Sequence, residues 1–171
     1  MRQAVLIRDE RQGDEDAIHA LTLKAFAPMP FSNGSEAPIL RALRRSGELA
    51  LSLVADLDGE IVGHVAFSPT TIDGAHNRWF GLGPVSVDPA HQRRGIGRRL
   101  IETGLTTLKQ RGAAGCALIG NPAIYIRLGF ESDGRLTYET LDPRLVQRIV
   151  FSGPPPTGEL KFAAAFAPGN H

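Results

Sequence analysis

The stretch at residues 92–97 reads Gln-Arg-Arg-Gly-Ile-Gly and decides the fold of this chain. It directly follows the apolar run 85–89 and opens the helix-like segment 98–110. The two glycines carry no side chain, so the backbone N–H groups of a tight loop can point at a ligand. The helix start adds unpaired N–H groups and the positive end of its dipole. A strand, a basic loop and a helix start in this order predict a polyphosphate site.

The charges around this loop have one sign. Arg93, Arg94, Arg98, Arg99 and His91 lie close together, and no acidic residue occurs between positions 89 and 101. Such a cluster at the positive end of a helix is electrostatically unfavourable unless an anion binds there. We therefore favour an anion site over an ordinary solvated loop.

The loop resembles the acetyl-CoA signature Q/R-x-x-G-x-G/A of the GNAT superfamily, the Gcn5-related N-acetyltransferases. Residues 52–55, 63–69 and 121–130 also look like the bacterial YhbS-like branch of that superfamily. The resemblance spans about residues 5 to 166. It implies acetyl-CoA as the acyl-donor substrate, with the loop holding its pyrophosphate.

The resemblance also implies which residues meet the donor. The strand before the loop is splayed from its neighbour in this family, and the pantetheine arm enters the opening, where backbone N–H groups bind the arm and the thioester oxygen. The cofactor-binding residues expected here are Val85, Ser86, Val87, Gln92, Arg93, Arg94, Gly95, Ile96, Gly97, Arg98 and Asn121.

Size and composition indicate one ordinary globular domain over residues 1–171. The chain is 42% hydrophobic and 22% charged, and its net charge of +1 gives no global attraction to nucleic acid or membrane. Cys116 is the single cysteine and lies in an apolar run, which favours a buried core residue and a reducing cytoplasm. The N-terminus lacks a secretion signal, and no apolar stretch approaches the ~20 residues that span a bilayer.

Hydrophobic periodicity predicts strands and amphipathic helices along the chain, and the resemblance implies an α/β fold with a mixed, mostly antiparallel sheet, splayed between two strands and flanked by about four helices. A first strand at residues 5–8 precedes two amphipathic helices. The first helix is capped by Asp14 and ended by Pro28 and Pro30, and the second buries Ile39, Leu40 and Leu43. Residues 49–55 and 61–67 predict a hairpin turning at Asp58 and Gly59.

The second half continues the pattern. A strand at 79–87 contains two glycines and a proline, which indicates a bulge. The helix after the loop ends near Arg111 and Gly112. We expect a strand at 116–119, a short helix at 123–128, another strand from Phe130 and a last strand at 159–166.

Acetyl transfer to an amine requires a polarised carbonyl, a neutral amine and a proton for the departing thiolate. Tyr125 lies four residues before Gly129 in a Tyr-x-x-x-Gly-Phe arrangement, where the superfamily often places the tyrosine that protonates the thiolate. A half-buried packing tyrosine is the alternative. Asn121 matches a position that often contacts pantetheine, although an asparagine before proline is also a common turn former.

The sequence does not identify a general base. Relatives with a catalytic glutamate often place it early in the strand before the loop, and the closest equivalent here is Gly81. Glu36 and His64 are candidates, and a water chain could replace both. His64 is also readily interpreted as structural, and Glu36 as a helix-terminal charge. No residue spacing suggests a metal site.

Two other classes of function stay open beside an N-acetyltransferase acting on a primary amine. One is a CoA-binding sensor without catalysis, and the other is a nucleic-acid site at the arginine cluster, which lacks aromatic residues for base stacking. The acceptor site is expected at loop 26–36, residues 76–80 and the segment after Tyr138. Phe26, Met29 and Phe31 favour a partly apolar acceptor. Homodimers are common among the relatives.

Overall fold

The chain is described by a computed structural model covering residues 4–29, 32 and 34–166. The strands are β1 (Val5–Asp9), β2 (Leu51–Leu57), β3 (Glu60–Pro69), β4 (Thr71–Ile72), β5 (Trp79–Val87), β6 (Gly115–Ile119), β7 (Leu136–Thr137), β8 (Val146–Val150) and β9 (Gly158–Lys161). The α-helices are α1 (Glu15–Phe26), α2 (Glu36–Ser46), α3 (Ile96–Gln110) and α4 (Pro122–Tyr125). This is the mixed α/β fold that the resemblance implies.

The main sheet runs in the order β1-β2-β3-β5-β6-β8. All neighbouring strands are antiparallel except β5 and β6, which are parallel. The β2–β3 hairpin turns at Asp58 and Gly59, both with positive φ (51° and 91°), as the Asp-Gly pair predicts. The sheet therefore brings the middle of the chain, β3, β5 and β6, to its centre.

The helices cover the two faces of this sheet. The apolar stripe of α3 packs on one face, where it joins Leu53, Val65 and Phe67 in the main core. Helices α1 and α2 cover the other face, where Ile18 and Leu40 pack against Ala66. Consecutive residues of β3 thus contribute to opposite layers, as the alternation of side chains along a strand requires.

The C-terminal part differs from the prediction. The strand expected from Phe130 is only an isolated bridge between Glu131 and Arg148. Strand β8 pairs with β6 instead, and its residues lack the clear alternating pattern from which a strand could be predicted. The last strand is also shorter than the expected 159–166, since β9 ends at Lys161 and pairs with β4 and β7 in a second small sheet.

Asp14 also behaves differently from a simple cap. It precedes α1 but makes no side-chain cap hydrogen bond to that helix. Its carboxylate accepts hydrogen bonds from Arg8 and from the backbone N–H of Arg11. These contacts lower the pKa of Asp14, the hydrogen bond from Arg8 having the largest effect. Asp14 therefore ties the start of α1 to β1.

The close packing around Gly104 predicts how a substitution there changes the free energy of unfolding. A Cβ built at Gly104, in the middle of α3, would overlap the ring of the fully buried Phe67. We expect Gly104→Ala to lower the free energy of unfolding by about 1–3 kcal/mol, because the core must shift to accept one methyl group. Thermal and urea unfolding measure this change.

Gly97 supplies the matched control in the same helix. A Cβ there would lie 3.6 Å from Val87 Cγ2, which is an ordinary contact. Gly97→Ala should therefore leave stability unchanged or raise it, because alanine favours the helical backbone. Equal stability of Gly104→Ala and the wild type would contradict the packing of α3 on β3.

Candidate active site

Strands β5 and β6 pair only at their beginnings and then separate. The ladder joins Trp79 to Gly115, Phe80 to Cys116 and Gly81 to Ala117, and it ends there although β5 continues to Val87. On its other side β5 stays paired with β3 as far as Val87, with a register shift and a cis Gly83–Pro84 peptide bond. Residues 82–87 therefore leave one backbone edge open to a ligand, as the resemblance implies.

The loop after β5 presents its backbone to this opening. Arg93 and Gly95 have positive φ values of 66° and 79°, and helix α3 begins at Ile96. Gln92 Nε2 donates to the carbonyl oxygen of Val87 at 3.0 Å and ties the loop to β5. When successive residues adopt right-handed and left-handed helical backbone conformations in turn, their N–H groups point toward one position. Positive φ values directly before a helix N-terminus form a backbone arrangement of the kind that binds anions.

The arginines of the loop do not all have the same freedom. Arg98 pairs with Glu102 at 2.6 Å, and Arg99 donates to the carbonyl oxygen of Val5 at 3.0 Å. Arg93 and Arg94 are exposed and have no ion pair among the residues that the structure describes. Arg93 and Arg94 are therefore the charges most available to an anion.

Asn121 and Tyr125 follow the end of β6. Asn121 Oδ1 accepts from the Ala123 N–H at 3.0 Å and caps α4, so the asparagine has its turn-forming role, and its side-chain N–H₂ group has no hydrogen-bond partner among the described residues. The half-buried ring of Tyr125 lies edge-on to Phe130, with centroids 6.2 Å apart. Burial raises the pKa of Tyr125, which keeps its hydroxyl protonated. The hydroxyl makes no hydrogen bond within the described part of the chain.

The position where relatives often carry a base is filled by other side chains. A Cβ at Gly81 would lie 2.8 Å from the Phe162 ring and 2.9 Å from Thr70 Cγ2. There is no space for a carboxylate at this point of β5. The ring of Phe162, from the C-terminal segment, occupies the space that a glutamate side chain at position 81 would need. No local pattern in the sequence indicates this contact.

His64 is fully buried in β3, on the face covered by α1 and α2. Its Nε2 lies 2.8 Å from Ser52 Oγ, and that hydroxyl donates to Glu10 at 2.9 Å. Glu10 in turn pairs with Arg44. Burial, reinforced by the positive charge of Arg44, lowers the pKa of His64 to about 3. His64 is therefore neutral near physiological pH and is poorly suited to hold a proton.

Glu36 lies at the start of α2, in a cavity between α1 and α2. It accepts a hydrogen bond from Ser32 Oγ at 2.6 Å. The cavity has a volume of about 400 Å³, and apolar atoms of Leu23, Phe26 and Ala37 contribute to its wall. Glu36 is the one charged residue on this wall within the described chain. Phe31, also expected at this loop, lies outside the described residues.

Other candidate chemistry has a structural explanation. Cys116 is fully buried in the main core, and burial raises the pKa of its thiol, so it is unreactive. Among the described residues, no group of three or more His, Cys, Asp or Glu side chains could hold a metal ion. Over the same part of the chain, no helix has the length and apolarity needed to cross a bilayer.

Comparison with known proteins identifies the family of this fold. A family model described as an acetyltransferase (GNAT) domain matches residues 48–132. The uncharacterised N-acetyltransferase YhbS of Escherichia coli K12 is 38% identical over 128 residues, covering 74% of this chain and 74% of the relative.

Two solved structures are similar over almost the whole chain. A GNAT family acetyltransferase from Brucella melitensis in complex with acetyl-CoA is 42% identical, covers 97% of this chain and 100% of its own, and superposes with a TM-score of 0.87. Escherichia coli YhbS in complex with CoA is 31% identical, with coverages of 97% and 93% and a TM-score of 0.88.

The chain belongs to the GNAT acetyltransferase family and is an acetyl-CoA-dependent N-acetyltransferase. Within that family it is similar to YhbS. The two similar structures contain acetyl-CoA and CoA, respectively.

Proposed function

We propose that this enzyme transfers the acetyl group of acetyl-CoA directly to a primary amine, with both substrates bound at once. One observation carries the proposal: β5 and β6 separate after Gly81, next to a basic loop at a helix N-terminus. The opening reaches both faces of the sheet. A donor entering on the α3 face can thus meet an acceptor that enters on the α1 face.

The donor half of the site has a role for each group. The open edge of β5 at Val85, Ser86 and Val87 hydrogen-bonds pantetheine and polarises the thioester oxygen. The pyrophosphate binds the backbone of loop 92–97, and Arg93 and Arg94 add positive charge. Arg98, in the first turn of α3, completes this anion site. A donor held this way stabilises the oxyanion that develops during transfer, which is typically the largest catalytic contribution. The free amide of Asn121 contacts pantetheine.

Tyr125 is the proposed general acid. As the amine attacks the thioester carbon, the C–S bond breaks and the CoA thiolate takes the hydroxyl proton of Tyr125. The hydroxyl is suited to this step because burial raises its pKa and keeps it protonated until the thiolate leaves. The acceptor amine loses one proton to solvent through water, and the tyrosinate is then reprotonated.

The acceptor half is proposed to include the cavity of Glu36. Its apolar wall suits the hydrocarbon body of an amine, and its single carboxylate suits a cationic group on that molecule. We therefore assign Glu36 to binding of the acceptor. A role as general base would in addition require a path for the proton from the reacting amine to Glu36.

A panel of primary amines and peptides, with release of free CoA thiol as the readout, tests this function. Turnover with an amine above the rate of acetyl-CoA hydrolysis supports it. Tight acetyl-CoA binding without turnover on any amine would instead favour the sensor. We also propose that residues 1–171 form one domain. The buried Cys116 is suited to a reducing cytoplasm, which is the proposed location. A homodimer is a further possibility from the resemblance, and light scattering measures it.

Glu36→Gln is expected to weaken the binding of the acceptor amine and not that of acetyl-CoA. We expect the KM of an amine found in the panel to rise about 10-fold or more, because a hydrogen bond to a charged group contributes about 1.5–3 kcal/mol. The KM of acetyl-CoA should not change. Steady-state kinetics with each substrate varied in turn measures both constants.

Glu15→Gln is the matched control, since Glu15 occupies the first turn of α1 but lies on the surface near Arg41 and Arg44. It should leave both KM values unchanged. An unchanged amine KM in Glu36→Gln would remove the cavity from the acceptor site.

A further inference from the structure

Three aromatic rings near the C-terminus line a cavity that the proposed mechanism does not use. The ring of Phe162 lies between those of Tyr138 and Phe166, with centroid distances of 5.4 and 5.6 Å. The ring planes are inclined by 63° and 47°, so the rings do not stack and part of each face stays uncovered. All three side chains are half-buried, and the cavity has a volume of about 200 Å³. We call this cavity the aromatic pocket.

The aromatic pocket lies on the face of the sheet that α1 and α2 cover. Phe80 and Leu82 pack in the core on the α3 face, so Gly81 between them faces the opposite side, where the ring of Phe162 meets it. The segment after Phe162 packs on α2. Gly81 is also the last residue of β5 that pairs with β6. Phe162 therefore borders both the aromatic pocket and the start of the opening between β5 and β6.

The wall of the aromatic pocket carries more negative than positive charge. Glu139 and Glu159 contribute two carboxylates and Lys161 contributes one ammonium group, and all three residues are exposed. Within residues 4–29, 32 and 34–166, neither glutamate forms an ion pair, and no cation lies over the three rings. Burial and the negative charge of Glu139 raise the pKa of Tyr138, so this carboxylate is close to the rings. A cation from solvent can reach both the rings and the carboxylates.

An aromatic ring attracts a cation to its face, and a carboxylate nearby adds to the attraction. The hydrocarbon part of a substituted ammonium group also gains by packing against the rings. These are the properties of the aromatic pocket, whose volume suits a small organic cation and not a cofactor. The chemistry of the pocket thus favours an ammonium group as its ligand.

We propose that the aromatic pocket binds a second, charged amine of the acceptor, separated by a short alkyl chain from the amine that is acetylated. The spacing follows from Phe162, which borders the pocket on one side and the opening on the other. This contact is additional to that of Glu36, which lies at the start of α2. The proposal rests on the direct transfer to an amine argued above.

Choline tests the aromatic pocket by binding alone, because its nitrogen cannot be acetylated. In a proton NMR titration its methyl signal should move upfield as protein is added, since ring currents shield protons over an aromatic face. Dimethylbutanol has the same shape without the charge, and it should bind about 5-fold more weakly or worse. Absence of an upfield shift, or equal affinity for the two compounds, would overturn the proposal.

Substitutions in the wall separate the rings from the charges. Phe162→Leu should raise the Kd of choline about 5-fold or more. Glu159→Gln should raise it about 2-fold or more, whereas Lys161→Gln should lower it. Glu60→Gln is the control, since Glu60 is exposed at the start of β3, outside this pocket, and its Kd should equal that of the wild type.

Thermal unfolding reports whether Phe162→Leu still folds, because this ring also packs against Gly81. If that variant is unstable, the two surface charges decide the outcome on their own. Their substitutions should change the Kd of choline in opposite directions. Equal Kd values for Glu159→Gln, Lys161→Gln and the wild type would mean that the pocket does not recognise charge, and the proposal would fail.

Turnover of diaminobutane and butylamine tests whether the bound cation belongs to the acceptor. The kcat/KM of diaminobutane should exceed that of butylamine about 5-fold or more, because only the diamine keeps a charged group for the pocket. This ratio should fall in Glu159→Gln and stay unchanged in Glu60→Gln. A ratio that is the same in both variants would exclude the pocket from the acceptor site. If neither amine is acetylated, the proposed transfer fails, and the choline titration still decides whether the pocket binds cations.

Discussion

Replacing Gly95 with glutamate is expected to weaken acetyl-CoA binding about 100-fold, which corresponds to about 2.7 kcal/mol. Gly95 has a φ of 79° and precedes the first residue of α3. A side chain strains this left-handed backbone by about 1–2 kcal/mol and tends to move the N–H groups of the loop. The new carboxylate also carries the same charge as the pyrophosphate. Isothermal titration calorimetry measures the change.

Gly47→Glu separates the loss of the site from the backbone strain. Gly47 follows α2 with a φ of 76°, and a Cβ there, as at Gly95, would meet no atom within 4 Å among the described residues. Both variants should therefore lose similar stability without ligand. Acetyl-CoA should raise the unfolding temperature of Gly47→Glu but much less that of Gly95→Glu. Unchanged affinity in Gly95→Glu would remove the loop from the donor site.

Tyr125→Phe is expected to lower kcat about 100-fold while acetyl-CoA affinity stays near that of the wild type. The phenyl ring can keep its edge-on contact with Phe130, so the substitution removes only the hydroxyl. Without that proton the thiolate must leave unprotonated or wait for water. Pre-steady-state and steady-state kinetics at saturating acetyl-CoA measure the effect.

The pH dependence has a definite direction. Activity needs Tyr125 protonated, so kcat should fall as pH rises through its pKa. Burial raises the pKa of Tyr125, and the fall therefore comes above the ordinary tyrosine value of ~10. Tyr138→Phe is the control, because Tyr138 is the other of the two tyrosines and lies against Phe162. Equal losses of kcat in both variants would contradict a specific proton donor.

The local elements of the donor half could be predicted from the sequence with few errors. The hairpin at Asp58 and Gly59, the buried stripe of α3 and the bulge in β5 each depend on neighbours in the chain. Glycines at turns and the start of a helix can be recognised from the order of consecutive residues. The resemblance then supplied the meaning of the opening between β5 and β6.

The acceptor half could not be predicted in the same way. Phe162 fills the space beside Gly81 from a segment about half the chain away, and no local pattern indicates it. Strand β8 and the small sheet of β4, β9 and β7 likewise depend on pairings between distant residues. The prediction of a strand from Phe130 is therefore wrong.

Taken by itself, the sequence predicted a polyphosphate site at residues 92–97, because a strand, a basic loop and a helix start form a pattern of consecutive residues, and the resemblance to a known family implied acetyl-CoA as its ligand. Only the tertiary structure decided the state of His64. Its neutrality depends on Ser52, Glu10 and Arg44, which come from three other elements and meet at one buried point. The charge of a group inside a protein is set by what folding places around it, and that arrangement is not written in the neighbouring residues.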